Sequence, residues 1–113
     1  MELETLKKMV VDALEELKGI DIKVLDVQER CSFTDAMIFC SGTSDRHLKA
    51  LANNVVVEAK KAGVQPLGVE GADTPNTGWV LVDLADVVVH VMLPQTRDFY
   101  QLEKFWSAPP AKE

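Results

Sequence analysis

The sequence predicts an α/β domain: one mixed five-stranded sheet packed by helices, in the order αββαβββα. Three observations predict it. Two stretches of apolar residues at helical spacing alternate with short β-type segments. A strand, a helix and another strand in succession imply a crossover, and hence at least one parallel pair. A valine-rich stretch interrupted by a turn adds an antiparallel pair. The chain has 113 residues, enough for one modest core, with neither internal repeats nor a linker. We expect a domain over 1–106 and a flexible tail over 107–113.

The elements follow in chain order. Leu3, Leu6, Val10, Ala13, Leu14 and Leu17 form one helical stripe, and Gly19 is a stop signal. DIKVLDV, from Asp21 to Val27, alternates as a strand does, and QERCSFTD is a polar connection. AMIFCSG, from Ala36 to Gly42, is nearly continuous apolar sequence, as in a strand buried on both faces. Ser44 is placed to cap a second helix that runs to Gly63 and buries Leu48, Leu51, Ala52, Val55 and Ala59. PLGVEG is a short strand, ADTPNT a loop of turn formers, and QTRDFYQLEKFW, after Pro94, a last helix.

GWVLVDLADVVVHVM, from Gly78 to Met92, reads as a hairpin with Leu84 and Ala85 as a two-residue turn. Asp83 then faces Asp86, Leu81 faces Val88, and Trp79 faces His90. Alternation puts these six on one face with Met92. The opposite face is Val80, Val82, Val87, Val89 and Val91, an aliphatic core face. The mixed face is too polar for full burial and too apolar for simple solvation. A half-wet surface around a tryptophan suits a protein contact. The competing reading packs Trp79 under a helix and leaves the acids to cap the turn. Ala85 also fits a two-residue turn poorly, because such turns favour Gly or Asn at positive φ, so a bulge could shift the register.

Catalytic readings are weaker. SGTS, from Ser41 to Ser44, lies between a strand and a helix, but with one glycine and no following lysine it lacks a phosphate-loop pattern. Asp83 and Asp86 flank a turn without the third acid that a two-metal centre would want. His47 and His90 have no cysteine or histidine at zinc-ligand spacing. His90 beside an acid could serve as a base, yet no Ser or Cys nucleophile is placed with it. We therefore expect no catalytic residues, no metal and no cofactor.

Composition narrows the partner. Twelve basic residues stand against 18 acidic ones, a net charge of −6, which disfavours direct nucleic-acid recognition and favours a basic protein surface. No apolar run reaches the length of a membrane helix, and MELETLKK has acids where a targeting peptide avoids them, so a cytoplasmic location is expected. Cys31 and Cys40 are expected as reduced thiols.

KVLDVQERCSFTDAMIFCSGTSDRHLKALA, PLGVEG, GWVLVDLADVVVHVM and TRDFYQLEKFW, in this order, resemble the iojap family, the bacterial ribosomal silencing factors. The resemblance runs from Lys23 to Trp106. It implies a fold related to nucleotidyltransferases but without their catalytic acids. It also implies binding to the large-subunit ribosomal protein L-fourteen where the subunits meet, which prevents subunit joining and lowers translation when nutrients are scarce. Family members usually carry Gly where Ala85 stands and often an aromatic where Ala36 stands. On this reading Trp79, Leu81, Asp83, Asp86, Val88, His90, Met92, Arg97 and Tyr100 form the protein interface. Two alternatives remain: a nucleotidyltransferase-like enzyme using SGTS and the acids, and a homodimeric scaffold pairing its mixed face with itself.

Overall fold

The structure is a computed structural model, and it describes residues 1–29, 31–72, 77–102 and 104. The elements are α1 (Leu3–Glu16), β1 (Ile20–Asp26), β2 (Ala36–Ser41), α2 (Asp45–Lys61), β3 (Gly68–Glu70), β4 (Trp79–Asp83), β5 (Val87–Met92) and α3 (Pro94–Tyr100). They form the expected mixed five-stranded sheet, in the spatial order β1-β2-β5-β4-β3. β2 and β5 run parallel at its centre, and the other neighbours are antiparallel. The expected end of the domain and the tail over 107–113 lie outside the described residues.

The two central strands are buried along their whole length, which is why AMIFCS and VVVHVM carry so few polar side chains. α1 and α2 cover the aliphatic face. Leu6, Val10, Ala13 and Leu14 from α1 meet Leu48, Leu51, Ala52, Val55 and Ala59 from α2 over Ala36, Ile38, Val80, Val82, Val89 and Val91. Each large aliphatic side chain withdrawn there contributes about 1.5–3 kcal/mol. Asn54 of α2 joins the helices by donating to the Ala13 carbonyl and the Glu16 carboxylate, both at 2.8 Å.

Cap chemistry places the helix ends. Ser44 accepts a hydrogen bond from the His47 backbone N–H at 3.1 Å and starts α2 as expected. At the end of α1 the left-handed residue is Lys18 (φ 64°), not Gly19. Gly19 is needed for close approach instead: a β-carbon there would collide with the Cys40 sulfur on β2. Both cysteines are free thiols, and burial pushes the Cys40 thiol up to about 11.

Candidate functional site

The mixed face of the sheet is the candidate site. Its geometry begins at the hairpin turn, where the structure corrects the expected register. Asp83 pairs with Val88, Leu81 with His90, and Trp79 with Met92. Leu84, Ala85 and Asp86 form the connection. The Asp83 carboxylate accepts from the Ala85 N–H at 2.9 Å, Ala85 takes a left-handed φ of 72°, and the Asp86 N–H returns to the Leu84 carbonyl at 3.0 Å. Leu84, only 3% exposed, is drawn into the core and its N–H donates to the Val87 carbonyl at 2.9 Å, so the turn moves one residue along the chain to Ala85 and Asp86. The register shifts by two, so side-chain parity survives and six of the expected residues still share a face. Asp86 leaves it. Its side chain is exposed in the turn, while its carbonyl accepts from the Asp35 and Ala36 N–H groups at 3.1 Å.

Burial divides that face. Val88, His90 and Met92 on β5 are 3%, 5% and 1% exposed; Val88 and Met92 form a second small core with Val27, Met37 and Phe39, and His90 stacks on Phe39. The expectation that these three touch a partner directly is therefore corrected: they lie beneath the surface. β5 is a central strand, and Leu25, Cys31, Leu102 and the Trp79 ring pack on this cluster. Trp79, Leu81 and Asp83 on β4 stay partly exposed, next to the three-residue edge strand β3.

Trp79 joins the buried layer to the surface. Its indole N–H donates to His90 Nδ1 at 3.2 Å, which places the His90 proton on Nε2. The His90 ring stacks on Phe39, with centroids 4.8 Å apart and planes 8° apart. His90 Nε2 is buried without a hydrogen-bond partner among the described residues, and burial lowers the imidazole to about 4. A buried, neutral ring whose Nδ1 is already occupied is placed to hold Trp79, not to act as a base. On its outer side Trp79 meets Tyr100 of α3 at 5.1 Å, and Tyr100 meets Phe99 edge-on at 5.0 Å. Phe99 is 80% exposed and Tyr100 52% exposed. Beside this wall lies a cleft of about 560 Å³ lined by Glu70, Gly71, Thr77, Trp79, Leu81 and Tyr100.

Arg97 points elsewhere. It donates to the Ser41 hydroxyl at 2.9 Å and lines a separate cleft with Lys23, Lys104, Asp21 and Asp98. The expected patch thus gathers Trp79, Leu81 and Tyr100, leaves Asp83 and Asp86 at the turn end of the hairpin, and separates Arg97. Sequence reasoning missed Phe99, Glu70 and Gly71. The aromatic pair in DFYQ marks Phe99, whereas nothing local marks Glu70, which arrives by pairing with Leu81. Gly71 adopts φ 88°, and a β-carbon there would strike the Trp79 carbonyl oxygen. Gly71→Ala should therefore destabilise by about 2–3 kcal/mol, read as a lower urea midpoint; an unchanged midpoint would refute this close approach.

The SGTS turn is filled by its own packing. His47 Nδ1 accepts from the Thr43 N–H at 2.9 Å, its Nε2 bonds to the Leu17 carbonyl at 2.8 Å, and a β-carbon at Gly42 would collide with Leu48. Among the described residues no three His, Cys, Asp or Glu side chains are grouped to hold a metal, and no helix is long and apolar enough to cross a membrane.

Comparison with known proteins places this arrangement. The family described as "Ribosomal silencing factor during starvation" matches residues 1–113. A ribosomal silencing factor of Chromobacterium violaceum is 48% identical over 94% of this chain and 85% of its own length. One from Haemophilus influenzae is 44% identical over 90% of this chain and 98% of its own. A Zea mays protein named Iojap, chloroplastic, is 36% identical over 83% of this chain and 40% of its own length. A crystal structure of a Chromobacterium violaceum protein superposes with a TM-score of 0.91 at 46% identity, covering 99% of this chain and 92% of that one. The fold and the sequence agree from end to end, and the chain belongs to the ribosomal silencing factor family.

Proposed function

We propose that this chain is a cytoplasmic translational repressor without catalytic activity. It binds the large-subunit ribosomal protein L-fourteen and blocks joining of the ribosomal subunits under nutrient limitation. The observation that carries the reading is the exposed aromatic wall of Phe99, Tyr100 and Trp79 on a chain of net charge −6. Aromatic side chains give large contact area at low entropic cost, and the acidic field steers a basic partner. In this reading Trp79, Leu81, Phe99 and Tyr100 make contact, and Asp83 and Asp86 form an acidic rim. Val88, His90 and Met92 hold the contact layer from beneath.

The test uses the paired substitutions Phe99→Ala and Tyr100→Ala. Both side chains are largely exposed, so the fold should keep its melting temperature within a few degrees. Affinity for isolated L-fourteen should fall about 30-fold or more. The variant should also fail to inhibit subunit joining in a purified translation system. A well-folded double variant that still binds and inhibits would show that the contact lies elsewhere. Raising salt should slow association of the parent chain while changing dissociation little, because screening acts beyond about 8–10 Å; an association rate indifferent to salt would remove charge steering from the mechanism.

A further inference from the structure

We infer that the cleft beside Trp79 is a seat for an arginine side chain projecting from the partner's surface. This rests on the reading above that the aromatic wall faces a basic protein. The cleft is about 560 Å³, enough for one long side chain and its water. Trp79 and Tyr100 make one wall, with ring centroids 5.1 Å apart and planes inclined by 48°. Leu81 belongs to the same lining. A β-carbon at Gly71 would strike the Trp79 carbonyl oxygen, so residue 71 itself puts no side chain into the cleft.

Charge selects the occupant. Among the described residues the lining carries one carboxylate, Glu70, and no cation, whereas the cleft beside Arg97 holds Lys23 and Lys104 as well. Glu70 is exposed and lies opposite Leu81 across the β3–β4 pair, which puts its carboxylate on the same face as the aromatic wall. A hydrocarbon side chain would leave that carboxylate unused. A second carboxylate would be repelled by it. A cation over aromatic faces is attracted by the ring quadrupoles and by Glu70 together. Between the two cationic side chains, the planar guanidinium lies flat on a ring while donating in its own plane to a carboxylate. A lysine ammonium has no face to stack, and it gives up a stronger hydration shell on entry.

Small probes test the seat apart from the ribosome. Nα-acetylarginine amide, its lysine counterpart and the neutral citrulline isostere are titrated into the full chain at constant ionic strength. A Trp106→Phe background leaves Trp79 as the single indole. The indole N–H and Leu81 methyl resonances report occupancy. Arginine should shift both saturably and bind about fivefold or more tightly than citrulline or lysine. Glu70→Gln should erase the preference for arginine over citrulline while the spectrum of the free protein stays that of the parent. No saturable shift with arginine, or equal binding of citrulline, would overturn the inference. The same Glu70→Gln chain is then tested against isolated L-fourteen, where about a tenfold loss is expected. Undiminished binding of L-fourteen would overturn the seat and leave the proposed partner standing. Arginine selectivity without any binding of L-fourteen to the parent chain would support the seat and overturn the partner.

Discussion

Acidification from pH 6.5 to pH 4 should cost this fold about 3 kcal/mol through one side chain, His90. The imidazole is 5% exposed, and burial lowers it from its ordinary 6.5 to about 4 in the folded protein. Between those two values the unfolded chain binds a proton that the folded chain refuses. Protonation therefore pulls toward the unfolded state, and stability rises with pH across the window. The stability linked to His90 is fully present above 6.5 and is lost as pH falls toward 4. Geometry gives the cause. Nδ1 already accepts the Trp79 indole N–H, the ring lies flat on Phe39, and no carboxylate is hydrogen-bonded to either ring nitrogen among the described residues to welcome a positive charge. The check is a series of urea unfolding curves from pH 4 to 7.5 on the parent and on His90→Phe. The phenyl ring keeps the stack on Phe39 and cannot titrate. The two curves should diverge as pH rises through the window, by about 3 kcal/mol, with the parent showing the steeper dependence. Parallel curves would mean that His90 titrates normally and is not sealed in the second core.

Much of the scaffold was legible because it depends on patterns that act locally. Buried-strand composition located β2, the serine cap and the apolar stripe located α2, and valine alternation located both faces of the hairpin. What the sequence hid was set by tertiary contact. The hairpin turn moved one residue along the chain, to Ala85 and Asp86, because Leu84 is drawn into the aliphatic core, a preference no local turn rule contains. β5 lost its half-wet face because Leu25, Cys31 and Leu102, distant in the chain, pack on its cluster. Gly19 resembled a helix stop but is small to admit the Cys40 sulfur. At the site the tryptophan was conspicuous, whereas Glu70 is an unremarkable acid until the β3–β4 register sets it beside Leu81.

Trp79→Ala should lower stability and binding together, and the size of each loss separates the two roles of this side chain. The indole packs on the second core, donates to His90 and supports Tyr100. Removing it opens space beside His90 and leaves Nδ1 without its donor, so folding stability should drop by about 2–4 kcal/mol. That is a large share of the roughly 5–15 kcal/mol a domain possesses, and the melting temperature should fall by about 10 °C or more. Trp79→Ala alone would therefore misreport the interface, since part of its binding defect is a population of unfolded chain. Measured well below the melting transition, where the variant is folded, affinity for L-fourteen should still be reduced about 30-fold or more, because the wall that Tyr100 leans on is gone. Trp79→Phe provides the contrast. It keeps most of the buried area but loses the N–H, so it should retain most of the stability while His90 Nδ1 is left unpaired. A Trp79→Ala chain that melts with the parent would show that the indole is not packed on His90 and Phe39 as described. A folded Trp79→Ala chain with parental affinity would move the contact off β4 altogether, onto Phe99 and the exposed side of α3.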